Sequence, residues 1–371
     1  MTTRLSPEAL RAGAGEPLVL ARHGWFWTGI EPIRTEAGPA VRGQTYVEYW
    51  IPGDLRHRLP IVMVHGGGGQ GLDYLGDLTG GEGWVHWFVR RGYAVYVVDR
   101  PGHGRSPADP ALQGPLGPSL PAAMVERLFS APEQFDDRYP GAELHTQWAG
   151  TGRAGDPTFD AFLAGMGPMN ADAAEHYADC QRGGAELLDL IGEAILVTHS
   201  AAGPVGWLVA DARPDRVKAV VAVEPLGPSF QAAPPGALTW GLTAVPLTYD
   251  PPATTPEDLG LTPTTLPSGI PAVLQSEPAR TLPRLAGIPI AVVTGEASWA
   301  NGTDPGTVAF LQQAGVAAEH LRLAEHGVHG NGHMMMSERN SGEVAAVIES
   351  WLQSRGLTSA GSADQESPAG A

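Results

Sequence analysis

Short runs of branched apolar residues recur along the chain at Ile61 to Val64, Ala94 to Val98, Ala194 to Val197, Val217 to Val223 and Ile288 to Val293, and most of them close on polar or glycine-rich turns. Continuous apolar runs of this length are the pattern of strands buried on both faces of a parallel sheet. Ahead of them, Leu18 to Gly29 and Gln44 to Ile51 alternate and carry aromatics, which predicts an antiparallel hairpin at the sheet edge. Glu319 to Leu323 reads as a last strand. Between the runs, Trp84 to Arg91, Ala171 to Ile191 and Gly203 to Ala212 have helical spacing. Strand, sharp turn and helix follow one another in that order, so the expected class is α/β: a mostly parallel sheet of about eight strands with helices on both faces.

Two stretches interrupt this rhythm. Residues from about 107 to 168 are rich in Pro, Gly and scattered aromatics such as Phe129, Tyr139 and Trp148, too long for an ordinary connection. They read as a cap inserted over the carboxyl edge of the sheet, where ligands bind in such folds. A second irregular insert is expected at about 227 to 283, with the substrate chamber beneath the two. The domain itself is expected over 18–356, after an N-terminal arm at 1–17 and before a disordered tail at 357–371, where Gly, Ser, Ala and acidic residues dominate.

Composition narrows the partners. The chain of 371 residues is 43% hydrophobic, and its 49 Gly and 34 Pro agree with many turns and long connections. A formal net charge of -17 disfavours nucleic acid and anionic membrane surfaces. No stretch approaches the roughly 20 apolar residues of a membrane span, and the start at Met1 lacks the apolar run of a secretory signal. The lone Cys180 cannot form an internal disulfide, so the expected place is the cytoplasm, with export left open.

The candidate chemistry begins where the strand Ile195 to Thr198 runs into His199-Ser200-Ala201-Ala202-Gly203 and then a helix. A serine on a tight turn between strand and helix is the outline of a nucleophile elbow, although Thr198 and Ala202 stand where glycine is usual. The plain alternative is that Ser200 caps the helix. His65-Gly66-Gly67-Gly68-Gly69 after another strand can offer bare backbone amides to an oxyanion, so Gly67, less firmly Gly68, and Ala201 are the expected donors. No Lys-Ser/Thr follows that loop, which argues against a phosphate-binding reading. His65 is read as a support for the loop.

Val97-Val98-Asp99-Arg100-Pro101-Gly102-His103-Gly104-Arg105-Ser106 closes the next strand. These three turns in this order resemble the α/β-hydrolase family, whose fourth strand commonly ends in an Asp-x-x-Gly-x-Gly-x-Ser turn; Asp99, Gly102, Gly104 and Ser106 match it and look structural. The resemblance implies the α/β-hydrolase fold over about residues 18–352. It also implies a catalytic histidine after the last strand, often in a Gly-x-Gly-His turn, which Gly330-Asn331-Gly332-His333 matches. His333 is therefore preferred to His329 and His326. A zinc site built from all three lacks thiolates and a common ligand spacing.

The orienting acid departs from the common pattern, because Val293-Thr294-Gly295-Glu296 is not followed by Asp at the expected distance. One strand earlier, Val223-Glu224-Pro225 puts a carboxylate at a strand's carboxyl end. The chain is similar here to bacterial serine esterases that use a Glu after the sixth strand. Glu224 is the preferred acid, ahead of Glu296 and Asp304. The reading implied is a serine esterase that cleaves a small carboxylic ester through an acyl-enzyme, with no cofactor and no metal. Amidase, lactonase or acyltransferase chemistry on the same residues stays open, as does a catalytically silent receptor or scaffold. A homodimer is also left open.

Overall fold

The computed structural model describes residues 16–232 and 237–358, so the expected arm and tail fall almost wholly outside the described residues. In chain order the strands are β1 (Leu20–Thr28), β2 (Glu31–Thr35), β3 (Gly38–Arg42), β4 (Thr45–Pro52), β5 (Ile61–Val64), β6 (Val95–Asp99), β7 (Ala194–His199), β8 (Val217–Val223), β9 (Thr262–Thr265), β10 (Pro271–Leu274), β11 (Ile290–Thr294) and β12 (Ala318–Arg322). Eight of them form one sheet in the order β1-β4-β6-β5-β7-β8-β11-β12. β1 and β4 pair antiparallel, β4 meets β6 antiparallel, and all later neighbours are parallel. The antiparallel edge appears where the alternating segments predicted it. Its connection is no tight turn, because β2 and β3 form a hairpin of their own between the two strands.

The central strands β5, β7, β8 and β11 are buried almost end to end, which is why they read as unbroken apolar runs. Helices cover both faces. On one, Leu187, Leu188, Trp207 and Leu208 from the helices Ala173–Ile191 and Gly203–Ala212 meet Phe310 of Asp304–Gln313. On the other, Trp84 and Phe88 of Trp84–Arg90 meet Ile348 and Leu352 of Ser341–Ser354, with Met335 and Met336 packed among them. Burying a side chain of this kind is worth ~1.5–3 kcal/mol each, so the two apolar layers carry most of the fold's stability.

The two inserts behave differently. The first sends the helix Pro157–Ala164 and the segment around Phe129 over the carboxyl edge. The second packs Leu238, Trp240, Leu242, Leu247 and Tyr249 into the core beside Trp207 and Phe310. Among the described residues it contributes nothing to the cavity at Ser200, so the chamber expected beneath both inserts is roofed by the first. The apolar side chains of the second insert explain this, since they complete the layer that Trp207 and Phe310 begin.

Candidate active site

β7 delivers Ser200 on a sharp turn. Its φ is 52°, in the left-handed region that only a tightly constrained residue with a Cβ occupies. A short 3-10 turn, Ser200–Ala202, leads into the helix Gly203–Ala212. Thr198 and Ala202 fit where glycine is usual because the space is supplied from the other side. A Cβ on Gly206 would lie 3.1 Å from the Thr198 methyl, and one on Gly66 would lie 3.1 Å from the Ser200 Cβ. The glycines that let strand, loop and helix close on the serine are thus displaced from the motif.

β8 ends at Glu224, whose φ of 43° is likewise left-handed. Its fully buried carboxylate accepts from the Gly295 N–H at 2.8 Å and the Ser298 hydroxyl at 2.6 Å. The same Oε2 lies 2.6 Å from Nδ1 of His333. Of the three carboxylates weighed from the sequence, only Glu224 meets this imidazole. Glu296 faces the exposed His329 at 3.2 Å and the Gly330 N–H, while Asp304 accepts from the Thr294 hydroxyl at 2.5 Å. His326 is exposed as well, and His333 is 1% exposed.

Burial pushes the Glu224 carboxyl up to about 8, against the bonds from Ser298 and Gly295. The same desolvation pulls His333 down to about 3. Burial thus disfavours charge on both groups, and the 2.6 Å Nδ1–Oε2 contact holds a proton between them, which leaves the Nε2 side of the ring free. Phe129 stacks on the ring with centroids 5.1 Å apart, Trp299 covers it at 4.9 Å, and His199 lies tilted against it at 4.5 Å. His199 also donates from Nε2 to the His333 carbonyl at 3.0 Å.

Ser200, His333 and His199 line a common cavity with Gly66, Gly67, Gly69, Asp73, Phe129, Phe162, Met166 and Met334. Gly67 lies against Ala201, since a Cβ built on it would come within 3.3 Å of the Ala201 Cβ. The backbone N–H groups of both are unused in the described turn and loop hydrogen bonds. Gly68 sits one step further out with φ +68°, against the Gly167 carbonyl and beneath the first insert. Asp99 accepts from the Gly71 N–H and the Arg105 backbone, and Ser106 bridges the Asp99 carbonyl to the Tyr46 N–H, a structural arrangement.

A strained serine at the end of the fifth sheet strand, facing a glycine-rich loop and a buried histidine after the last, is the arrangement of one large family. A family profile described as alpha/beta hydrolase fold matches residues 60–259. The chain belongs to the α/β-hydrolase fold family. It is 39% identical over 314 residues to a protein named "Probable secreted lipase phiG" from Fungal sp. (strain ATCC 74256), covering 83% of this chain and 85% of that one. The solved structure described as "The Atomic Resolution Structure of a Novel Bacterial Esterase" superposes on this α/β-hydrolase with a TM-score of 0.64 at 23% identity, covering 93% of this chain and 99% of the other.

Several residues of this site had no functional signal in the sequence. Glu338 is fully buried and accepts from the Asn331 amide at 2.8 Å and from the Gly332 N–H at 3.1 Å, while His145 of the first insert meets it at 2.7 Å. Asp73 lines the cavity, and Arg100 lies beneath the glycine loop. Their partners are remote in the chain, so no local spacing marks them.

Proposed function

We propose that this α/β-hydrolase cleaves small carboxylic esters through an acyl-enzyme on Ser200. The observation that carries the reading is the buried 2.6 Å contact between His333 and Glu224 beside a left-handed serine in a closed-in cavity. His333 Nε2 takes the hydroxyl proton as the Ser200 oxygen attacks the acyl carbon, and Glu224 holds the resulting imidazolium. The N–H groups of Gly67 and Ala201, with Gly68 as a lesser candidate, face the tetrahedral oxyanion. Collapse of the intermediate expels the alcohol, which leaves with the proton from Nε2. A water molecule then repeats the sequence on the acyl-serine and frees the acid.

The names of the fungal relative and of the bacterial neighbour agree with ester hydrolysis. The walls Phe129, Phe162, Met166 and Met334 suit an apolar acyl or alcohol group of modest size. The chemistry needs no cofactor, and its partner is the small-molecule ester itself. Among the described residues no helix is long and apolar enough to cross a membrane. We place the enzyme in the cytoplasm on the strength of its single, buried Cys180, whereas the fungal relative is named as secreted; fractionation of the native host decides between them.

A fluorophosphonate probe tests the reading directly. It should label the wild type stoichiometrically and spare Ser200→Ala, which should also lose esterase turnover by at least ~10³-fold. A wild type that resists the probe would overturn the proposal.

A further inference from the structure

Arg100 follows β6 and is 2% exposed, yet among the described residues no carboxylate lies within ion-pair distance of it. The obvious candidate, its neighbour Asp99, is committed to Arg105 at 2.7 Å and to the Gly71 N–H at 2.6 Å. A buried guanidinium without a counter-ion is costly and persists only where something else depends on it. Its donors go to one place that matters and one that does not bear charge. Nη2 donates to the Gly66 carbonyl at 2.6 Å, and Nη1 lies 3.0 Å from Nε2 of His176. The surrounding imidazoles add no second positive charge, because burial and the nearby guanidinium keep His65 and His176 far below the ordinary histidine range and His103 down at about 3, and Asp73 feels the guanidinium only through space, without an ion pair.

The Gly66 carbonyl is held twice. His65 donates to it from Nδ1 at 2.8 Å, and the other ring nitrogen of His65 accepts from the Arg100 N–H at 3.1 Å. In a planar trans peptide the carbonyl and the following N–H point in opposite directions. Fixing the Gly66 oxygen on Arg100 and His65 therefore turns the Gly67 N–H away from them, toward the side where Ala201 and Ser200 lie. The second donor is aimed by the same device. The Leu226 N–H holds the Ser200 carbonyl at 2.8 Å, which turns the Ala201 N–H the opposite way.

Resting on the serine-hydrolase reading above, we propose that Arg100 is a positioning residue of the oxyanion site: it clamps the Gly66 carbonyl to aim the Gly67 N–H, and it keeps a guanidinium with no carboxylate at ion-pair distance behind the peptide that faces the developing oxyanion. A charge that must be desolvated in the resting protein is then most useful in the transition state, when negative charge appears one peptide away.

Arg100→Met and Arg100→Gln separate the two contributions. Active sites are counted with the fluorophosphonate, and turnover is expressed per titrated site. Arg100→Met should lower kcat by ~10²-fold with KM changed by less than ~3-fold, and it should weaken a trifluoromethyl ketone, which forms a tetrahedral oxyanion on the serine, by a similar factor. Arg100→Gln keeps an amide donor for Gly66 and loses only the charge, so both effects should be near ~10-fold. A purely architectural role would reduce the fraction of titratable sites and leave turnover per site alone. Turnover per site within twofold of wild type in either variant overturns the proposal, as does a kcat loss with unchanged inhibitor affinity. If Arg100→Met gives no titratable protein, Arg100→Gln decides by the same criteria. Failure of the wild type to react with the probe would instead sink the underlying serine-hydrolase reading.

Discussion

Three residues other than glycine adopt left-handed φ among the described residues, and two of them are Ser200 and Glu224. Such a backbone costs on the order of 1–3 kcal/mol per residue, and it places each side chain where a relaxed strand end would not. At Glu224 the turn swings the carboxylate back toward Gly295, Ser298 and His333. Glu224→Gln keeps the size of the side chain but cannot hold an imidazolium. Turnover of an activated ester should fall by ~10³-fold or more in that variant, with fluorophosphonate labelling correspondingly slow. Glu296→Gln, which touches only the exposed His329 and the Gly330 N–H, should stay within a few-fold of wild type. Reversal of that order would transfer the acid's role to Glu296. Ser200, His333 and Glu224 were legible because each ends a recognisable apolar strand or closes a glycine turn. Arg100 and Glu338 were not: charged residues on this loop and on this turn look solvent-facing until the fold buries them.

At the scale of elements, the loop that carries His333 is held from the first insert. Thr146 donates its N–H to the Gly330 carbonyl at 3.0 Å, and His145 lies between Glu338 at 2.7 Å and Glu133 at 3.5 Å. The strand and helix bounds could be read closely from apolar periodicity, as with Ile61–Val64, Val217–Val223 and Gly203–Ala212. The elements inside the insert could not, because Pro, Gly and isolated aromatics carry no period, and its tie from His145 to Glu338 joins residues 193 apart in the chain. Burial works against a charge on His145, but Glu133 and Glu338 outweigh it and raise this histidine from 6.5 to about 9. Because folding raises its pKa, the protonated His145 stabilises the fold fully below about 6.5, and that contribution is lost as pH rises through about 9. Unfolding free energy from urea titration should therefore fall between pH 7 and 10, by at most ~3 kcal/mol from this group. His145→Asn should lower stability at pH 7 and flatten that alkaline limb. An unaltered slope in the variant would show that the cluster does not couple the insert to the histidine loop.

For the whole molecule, the sheet's two apolar layers fix where the strand ends lie, and the first insert closes the space above them while the second thickens one layer. The net charge of -17 gives the whole molecule a field that favours cations, and Asp73 adds a carboxyl to the cavity itself. Gly69 makes room for it: a Cβ there would lie 2.2 Å from its carboxylate. Burial raises Asp73 to about 7; Asp99 adds to the shift, while the Gln70 N–H and Arg100 oppose it. The group is thus mostly neutral at pH 6 and mostly charged at pH 8. Preference for a cationic ester over its neutral isostere, measured as the ratio of kcat/KM values, should accordingly rise ~10-fold across that interval. Asp73→Asn should remove the rise and leave the neutral ester little changed. Added salt separates the two sources of bias, because it screens the outer field within about 10 Å at 0.1 M but reaches a buried carboxylate poorly. The part of the preference that persists in salt and disappears in Asp73→Asn belongs to the cavity. A preference that salt abolishes and the substitution leaves intact would belong to the surface and would remove Asp73 from substrate selection.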